Sequence, residues 1–383
     1  MNRFINEKRL LDTFLQLVRI DSESYHEGAL YRWLCPELKK RGCSVVTDKA
    51  GKKIGSDAPG NIIATLKGTA GEKPFLLSAH MDTVCPGRNV KPSIQNGRVV
   101  TDGTTVLGAD DKAGVAIILE ILRTLKEQKL PHPPVEAVFT LSEEVGMFGS
   151  KNLDCTKIKG REGVILDGEE VDSVLVQGPA VNTIEVWIKG LATHAGVSPE
   201  KGISAVEVAA YALTQMKLGR IDKDTVANFG IIQGGQATNV VMPEVYLKGE
   251  ARSLVNEKLA KQTANMKAAF EKAVKRFTKK IDGKICKPEL KFVAEERYPA
   301  VRIAKTQPLV KGAVAAAKQI GISLKPIACG GGCDANVLAG KGFTLPNLGT
   351  GVRGYHTTKE YLLLKEFFAA FHITLGTLLA YKK

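Results

Sequence analysis

At 383 residues the chain is longer than one ordinary hydrophobic core accommodates, which predicts two domains. Hydrophobic residues make up 44% and charged residues 25%, a composition that excludes a disordered chain and is typical of a globular enzyme. The formal net charge of +14 raises the question of a nucleic-acid partner, and the position of the basic residues bears on it.

The excess of positive charge is concentrated in one segment, 257–280, which holds eight Lys or Arg residues against two Glu. Apolar residues recur there at helical spacing: Leu259, Met266, Phe270, Ala273 and Phe277. The segment is therefore predicted to be an amphipathic helix whose solvent face is basic. The aromatic residues Phe270 and Phe277 belong to the apolar face of this helix, and the sequence contains no known nucleic-acid-binding module, so we expect no nucleic-acid partner.

The N-terminal segment and the cysteines bear on the location of the protein. Segment 1–20 is charged and amphipathic, without a long apolar run or a small-residue cleavage site. It therefore predicts neither a signal peptide nor a membrane span. The seven cysteines are scattered and odd in number, which favours reduced thiols and a cytoplasmic protein.

Short apolar runs alternate with helical patterns through most of the chain. In the first part, helices are predicted at 7–18, 27–40 and 112–125, and strands at 61–66, 74–78, 135–141 and 164–166. In the last part, a helix is predicted at 308–321, strands at 325–328 and 343–348, and a final helix from about 358 to 381. This alternation predicts an α/β fold with a mostly parallel sheet and helices on both faces.

The middle of the chain has a different pattern. The predicted order is a strand at 181–189, a helix at 203–216, two strands at 227–233 and 244–251, and then the basic helix. That order is typical of a small α+β domain. We therefore expect an inserted domain, 177–296, between two parts of one α/β domain, 1–176 and 297–383.

Five short stretches concentrate residues that bind metals: 78–83, 108–112, 142–144, 166–168 and 354–357. The first, third and fourth follow or end a predicted strand, and the second begins a predicted helix. Because the carboxyl ends of parallel strands meet at one edge of a sheet, these stretches can converge without being close in sequence.

The metal-binding side chains in these stretches are two imidazoles and three carboxylates: His80, Asp110, Glu144, Asp167 and His356. If Asp110 bridges two ions, each ion has one His, one further carboxylate and one shared oxygen, a typical catalytic zinc site. Cobalt or manganese also suits this ligand set. Two ions held close together can polarise a carbonyl jointly.

Two further acidic residues have natural roles beside such ions. Asp82 lies two residues after His80 and can accept its second ring N–H, which orients the imidazole. Glu143 precedes Glu144 and can move protons as a general base. Taken alone, each of the five stretches also has a structural explanation. Asp110 or Asp111, for example, can cap the helix that follows.

Together these stretches resemble the dinuclear zinc exopeptidases that include peptidase T, carboxypeptidase G and the aminoacylases. The motifs that carry the resemblance appear in the family's order over nearly the whole chain: His80-x-Asp82, 108–114 (GADDKAG), 142–146 (SEEVG), 193–196 (THAG), and Gly-Gly-x-Asp at 331–334 before His356.

The resemblance implies a role for each residue of the metal site. His80 and Asp167 hold one ion, Glu144 and His356 hold the other, Asp110 bridges them, and Glu143 is the general base. The family also has an inserted lid domain that usually forms a homodimer, which agrees with the insertion expected above. Within it, His194 is implied to stabilise the oxyanion, and Asn239 and Arg252 to bind substrate. The resemblance further implies a cis peptide bond between Asp110 and Asp111.

The identity of residue 167 indicates which branch of the family the chain resembles. Relatives with Asp at the position of Asp167, such as peptidase T, tend to act on peptides with a free amino group. The resemblance therefore favours a tripeptide aminopeptidase acting on short peptides. A carboxypeptidase or an N-acyl-amino-acid amidohydrolase remains an alternative, and a non-catalytic binding protein is a further one.

Overall fold

The computed structural model describes residues 4–381. The chain forms two compact units, of which the first ends at Gly178 and resumes at Val301, and the second is Pro179–Ala300. The sequence assigned 177–296 to an inserted lid, and its action as a lid stays a prediction. Among the described residues, no helix is both long and apolar enough for a membrane span.

Helices and strands alternate up to Gly178. The helices are α1 (Glu7–Val18), α2 (Gly28–Lys40), α3 (Ala50–Ile54), α4 (Ala109–Glu127) and α5 (Phe148–Lys151). The strands are β1 (Ser44–Thr47), β2 (Ile62–Leu66), β3 (Phe75–His80), β4 (Ser93–Gln95), β5 (Arg98–Val100), β6 (Val135–Thr140), β7 (Glu162–Gly168) and β8 (Ser173–Gly178). Asp110 and Asp111 have non-helical backbone angles, so the regular part of α4 begins after them.

The second unit consists of a five-stranded antiparallel sheet, a two-stranded antiparallel sheet and two helices. Its strands are β9 (Ala180–Lys189), β10 (Gly219–Arg220), β11 (Thr225–Gly234), β12 (Glu244–Ser253), β13 (Lys279–Ile281), β14 (Lys284–Cys286) and β15 (Glu289–Tyr298), and its helices are α6 (Ala205–Thr214) and α7 (Asn256–Arg276). The sheet order is β10-β11-β12-β9-β15, and β13 pairs with β14. Alternate residues of β9, Ile184 and Ile188, pack with Val208 of α6 and Phe270 of α7, as the period of two along a strand requires.

The chain then returns to the first unit. The remaining elements are strands β16 (Val301–Arg302), β17 (Lys325–Ala328), β18 (Asn347–Gly349), β19 (Val352–Arg353) and β20 (Tyr361–Leu363), and helices α8 (Pro308–Lys318), α9 (Asp334–Gly340) and α10 (Leu364–Ala380). Two sequence expectations were wrong here. The final helix begins at Leu364 and not near 358, because β20 pairs with β5 instead. The strand expected at 343–348 is β18 and has three residues.

The large sheet of the first unit is mixed, in the order β1-β2-β6-β3-β7-β18-β8-β16, with β17 also paired to β8. Its central strands β6, β3, β7 and β18 are parallel, whereas β1, β2 and β16 pair antiparallel. All six residues of β3 are buried. Leu77 belongs to one hydrophobic core and its neighbour Leu76 to another, so both faces of the sheet are covered. The predicted α/β fold class is confirmed, but the sheet is mixed and not mostly parallel, because β1, β2 and β16 pair antiparallel with their neighbours and β8 pairs antiparallel with β18.

Candidate active site

The central parallel strands bring the predicted metal ligands to one edge of the sheet. His80 is the last residue of β3, Asp167 is the last but one of β7, and 142–144 follow the end of β6. Since these strands are parallel, their carboxyl ends lie side by side. Asp110 is in the first turn of α4, and His356 lies between β19 and β20.

Asp110 lies between the two imidazoles. Its Oδ1 is 2.9 Å from Nε2 of His80, and its Oδ2 is 3.5 Å from Nε2 of His356. Oδ1 of Asp167 is 3.7 Å from Nε2 of His80, and Oε2 of Glu144 is 2.7 Å from Nε2 of His356. These contacts connect all five residues through Asp110, and His80, Asp110 and Glu144 also bring potential ligand atoms within 4.8 Å of one another.

These five side chains suit two divalent cations. Oε1 of Glu144 is buried and has no hydrogen-bond partner. Along residues 4–381, the ion pairs of Asp110, Glu144 and Asp167 are with histidines and not with Lys or Arg. Buried carboxylates without a compensating charge are costly, and imidazole nitrogen with carboxylate oxygen is the donor set of catalytic zinc. The residues therefore fit the metal centre that the sequence indicated.

Asp82 has a second role that the sequence did not indicate. Nδ1 of His80 lies 3.0 Å from the backbone oxygen of Asp82 and 3.4 Å from its Oδ1, so the carbonyl is the nearer acceptor. The carboxylate itself accepts the backbone N–H groups of Glu143 at 2.9 Å and Glu144 at 3.2 Å, and the Ser24 hydroxyl at 2.7 Å. Asp82 therefore fixes the backbone of the glutamate pair as well as the imidazole.

Glu143 lies beside the five potential ligands without being one of them. It is 9% exposed, and it lines the same cavity as Glu144 and Asp167. Burial raises the pKa of Glu143 well above its usual range, and the carboxylates of Asp167 and Asp334 add to that rise. A carboxylate whose pKa is raised in this way is a stronger base than an ordinary glutamate, which suits a general base.

Asp111 also approaches the ligands, but its oxygens are already engaged. Asp111, His80 and Asp167 bring potential ligand atoms within 4.8 Å of one another. Oδ2 of Asp111 accepts the backbone N–H of His80 at 3.1 Å, and Oδ1 accepts that of Gly114 at 3.2 Å. Asp111 thus holds the end of β3 against the start of α4. The expected cis peptide bond between Asp110 and Asp111 is present.

Glu27 is a residue of the site that sequence reasoning missed. Its side chain is fully buried. Its Oε1 accepts both the backbone N–H of Ser142 at 2.9 Å and the Ser142 hydroxyl at 2.7 Å, and its Oε2 accepts the Ser56 hydroxyl at 2.6 Å. Ser142 has a φ of 47°, a conformation that few side chains adopt. Glu27 therefore supports the turn that presents the two glutamates.

A cavity of about 340 Å³ opens over these groups in the first unit. Its lining includes the acidic residues Glu143, Glu144 and Asp167 and the glycine-rich segment 328–333. Tyr355 and His356 complete the lining. The volume is in the range of small-ligand pockets.

The remaining predicted site residues lie in the second unit, where two of them are adjacent. His194 and Asn239 are both exposed. The backbone N–H of Ala195 donates to the oxygen of Asn239 at 2.9 Å, and His194 forms a bridge with Val240. The structure therefore brings His194 and Asn239 together at the surface.

Arg252 is far from this pair within the same sheet. It lies near the end of β12 and pairs with Val181, whereas Glu244 at the other end pairs with Lys189, which leads into the His194 loop. A ten-residue strand spans about 30 Å at about 3.3 Å per residue. The guanidinium binds Glu250 through two hydrogen bonds, of 2.7 and 3.0 Å.

The metal-free protein is expected to lose stability as pH rises from about 6 to about 9. Burial raises the pKa of Asp167 from 3.8 to about 7, so up to about pH 7 the folded state retains a proton there that the unfolded state has lost, and His356 accounts for the loss of stability above that pH. Hydrogen bonds to Asp110 and Glu144 raise the pKa of His356 from 6.5 to about 10. Stability from His356 is complete below 6.5 and is lost as pH approaches 10, so both groups act in the same direction.

Bound cations reverse this dependence, because metal ligands must be deprotonated. We expect the melting temperature to fall with pH over this range in excess chelator and to rise with pH in excess zinc. Thermal melts at about pH 6 and about pH 9, in excess chelator and in excess zinc, check this prediction. A chelated protein that is more stable at the higher pH contradicts it.

Comparison with known proteins agrees with this geometry. Residues 76–380 match peptidase family M20/M25/M40. The aminopeptidase PepT from Bacillus cereus ATCC 10987 is 39% identical, with a TM-score of 0.93 over 98% of this chain and 99% of that one. A tripeptidase from Staphylococcus aureus is 36% identical, with a TM-score of 0.93 over the same shares. Carboxypeptidase G2 from Pseudomonas sp. (strain RS-16) is 30% identical over 92% of this chain and 84% of that protein. The family match covers most of the chain and includes every predicted metal ligand, so the chain belongs to peptidase family M20/M25/M40.

Proposed function

We propose that this protein is a two-metal aminopeptidase that removes the N-terminal residue of tripeptides. The proposal is carried by the position of Asp110, which directs one oxygen towards each of two imidazoles while Glu143 stays outside the ligand set. Similarity to structures named as an aminopeptidase and a tripeptidase supports the choice of substrate.

The residues of this chain divide the chemistry between them. Two bound divalent ions supply Lewis acidity towards the scissile carbonyl and lower the pKa of water. Glu143 accepts a proton from the attacking water and delivers it to the amine that leaves. Asp82 and Glu27 keep segment 142–144 in place during both transfers, because they hold its backbone through hydrogen bonds.

We propose zinc as the native metal, with cobalt or manganese able to replace it. The nitrogen and oxygen donors suit zinc in a site with an open position, and the same donors accept the other two ions. Metal analysis of protein purified without chelator should find two ions per chain.

Two alternatives use the same site. Similarity to carboxypeptidase G2 favours a carboxypeptidase, and an N-acyl-amino-acid amidohydrolase needs the same ligands. A non-catalytic binding protein is a weaker candidate, because Glu143 and all five metal-binding side chains are present.

A substrate panel tests the proposed function against these alternatives. Purified protein loaded with zinc is given free tripeptides, the same tripeptides with an acetylated N-terminus, dipeptides and N-acyl amino acids. Release of the N-terminal residue from free tripeptides alone supports the proposal. Cleavage of acetylated peptides from the C-terminus identifies a carboxypeptidase, and deacylation identifies an amidohydrolase.

We also propose that the second unit forms a homodimer and supplies residues to the active site. The pair His194–Asn239 and the residue Arg252 are at opposite ends of one sheet, so one short peptide cannot reach both within a single unit. Two chains related by a twofold axis remove this conflict. β10 pairs with β11 at Val226 and Ala227, so the part of β11 that follows has an open edge. Ile231 and Ile232 lie there, 43% and 56% exposed, and offer a surface for pairing.

We propose a cytoplasmic location. All seven cysteines are free, which is typical of a reducing compartment. Cell fractionation with an antibody against the protein tests this assignment.

Arg252→Ala is expected to weaken binding of a tripeptide acid far more than binding of its C-terminal amide. A guanidinium binds a carboxylate through two parallel hydrogen bonds, and loss of such a charged bond costs about 1.5–3 kcal/mol. To bind the substrate carboxylate, Arg252 must release its hydrogen bonds to Glu250. Glu250→Gln is therefore the matched control, and this variant should still prefer the tripeptide acid to the amide. Steady-state kinetics on both peptides measure the effect. Equal losses on acid and amide contradict the carboxylate role.

A further inference from the structure

Glu360 is a buried glutamate beside the metal ligands that the mechanism above does not use. Its side chain is 2% exposed. Oε2 accepts the backbone N–H of Gly108 at 2.8 Å, and Oε1 accepts the backbone N–H of Asp110 at 3.0 Å. Both oxygens therefore bind the turn that presents Asp110, and Glu360 belongs to neither group of potential metal ligands.

The backbone of Glu360 belongs to the loop that presents His356. Its N–H donates to the oxygen of Thr357 at 3.1 Å, and the Thr357 hydroxyl donates to the oxygen of Gly354 at 2.7 Å. The next residue begins β20, which pairs with β5. His356 has a φ of 61°, in the left-handed region that non-glycine residues seldom adopt. The surrounding loop has to maintain that conformation.

Glu360 is thus a direct connection between two ligands that are far apart in sequence. Through its side chain it holds Asp110, and through its backbone it closes the turn after His356. His80 and Asp167 have separate supports, since the backbone N–H of His80 donates to Asp111 and that of Asp167 donates to Asn347. Loss of Glu360 therefore disturbs one side of the metal centre more than the other.

We propose that Glu360 is a positioning residue that sets the distance between His356 and Asp110, and so maintains the site for the ion held by His356, Asp110 and Glu144. This inference rests on the proposed two-metal function. Loss of a group that orients a metal ligand commonly lowers metal affinity about 10- to 100-fold. We expect that loss at the ion of His356, and a smaller change at the ion of His80 and Asp167.

The test uses Glu360→Gln, which keeps the shape of the side chain but replaces one acceptor oxygen with a donor. Glu136→Gln is the matched control, because Glu136 is also 2% exposed and also accepts two backbone N–H groups, from Lys159 and Gly160. Cobalt is added stepwise to the metal-free proteins, and binding is followed by absorption spectroscopy and calorimetry. If Glu360→Gln is too unstable, Glu360→Asp keeps the charge and provides the same measurement.

Wild-type protein and Glu136→Gln should bind two cobalt ions with unchanged affinities. Glu360→Gln should bind the first ion normally and the second about 10- to 100-fold more weakly. Peptide hydrolysis by this variant should recover in excess metal, with the deficit in kcat at limiting metal and not in KM. Unchanged affinities, or equal loss of both ions, overturn the proposal. Wild-type protein that binds two ions but cleaves no tripeptide contradicts the proposed activity and leaves this metal test intact.

Discussion

Glu143→Ala is expected to abolish nearly all peptide hydrolysis while both metal ions stay bound. Glu143 lines the cavity beside Glu144 and Asp167, and its pKa is raised well above the usual range by burial and by neighbouring carboxylates. Positive charge from bound cations would favour the ionised carboxylate, which is the form that accepts a proton. Removal of a general base commonly slows a reaction about 10²- to 10⁴-fold.

The adjacent residue provides the matched control for this prediction. Glu144 is within 2.7 Å of His356 and belongs to the ligand set, so Glu144→Ala should lose an ion as well as activity. Both variants are measured for metal content and for kcat on a tripeptide. Near wild-type kcat in Glu143→Ala with two ions bound contradicts the general-base role. Metal loss in Glu143→Ala assigns this residue to the ligand set instead.

Mixing two inactive variants, Glu143→Ala and His194→Ala, is expected to restore part of the peptidase activity. Glu143→Ala lacks the proposed base, and His194→Ala lacks the proposed oxyanion contact. If His194 acts on the partner subunit's site, a hybrid dimer contains one site with both groups intact. Random exchange of subunits then restores about a quarter of the wild-type activity, because about half of the dimers are hybrids with one active site.

The control for this experiment is a mixture in which complementation is impossible. Protein that carries both substitutions, mixed with Glu143→Ala, contains no wild-type Glu143 and should stay inactive. Subunit exchange is followed by mass spectrometry of isotope-labelled chains. Lack of rescue despite complete exchange shows that His194 does not act across the dimer, and rescue without exchange contradicts the dimer explanation.

Much of the candidate metal site could be predicted from the sequence, because its residues lie next to segments with the apolar pattern of a strand or of a helix. His80 and Asp167 lie at the ends of apolar strands, and parallel strands place their ends at one edge. The helical pattern from 112 onwards located Asp110 just before the regular part of α4. The imidazoles and carboxylates then limited the chemistry, since few other sites need two His and three acidic groups together.

The predictions failed where pairing between distant segments decides the structure. The last helix begins later than its apolar pattern indicates, because Tyr361–Leu363 pair with Arg98–Val100 as the two inner strands of a four-stranded sheet. Strand 343–348 is shortened to Asn347–Gly349. Short strands of this kind depend on a partner and have little intrinsic preference of their own.

The sequence by itself determined which side chains can bind metal and in what order along the chain they reach the sheet edge. Only the tertiary structure decided how those side chains are held. Asp82 supports Glu143 across 61 residues, Glu27 supports Ser142 across 115, and Glu360 supports Asp110 across 250. Each support is a buried carboxylate that accepts backbone N–H groups. The backbone N–H is common to almost every residue, so no local residue pattern marks such a bond, and only the folded chain determines which amides a given carboxylate reaches.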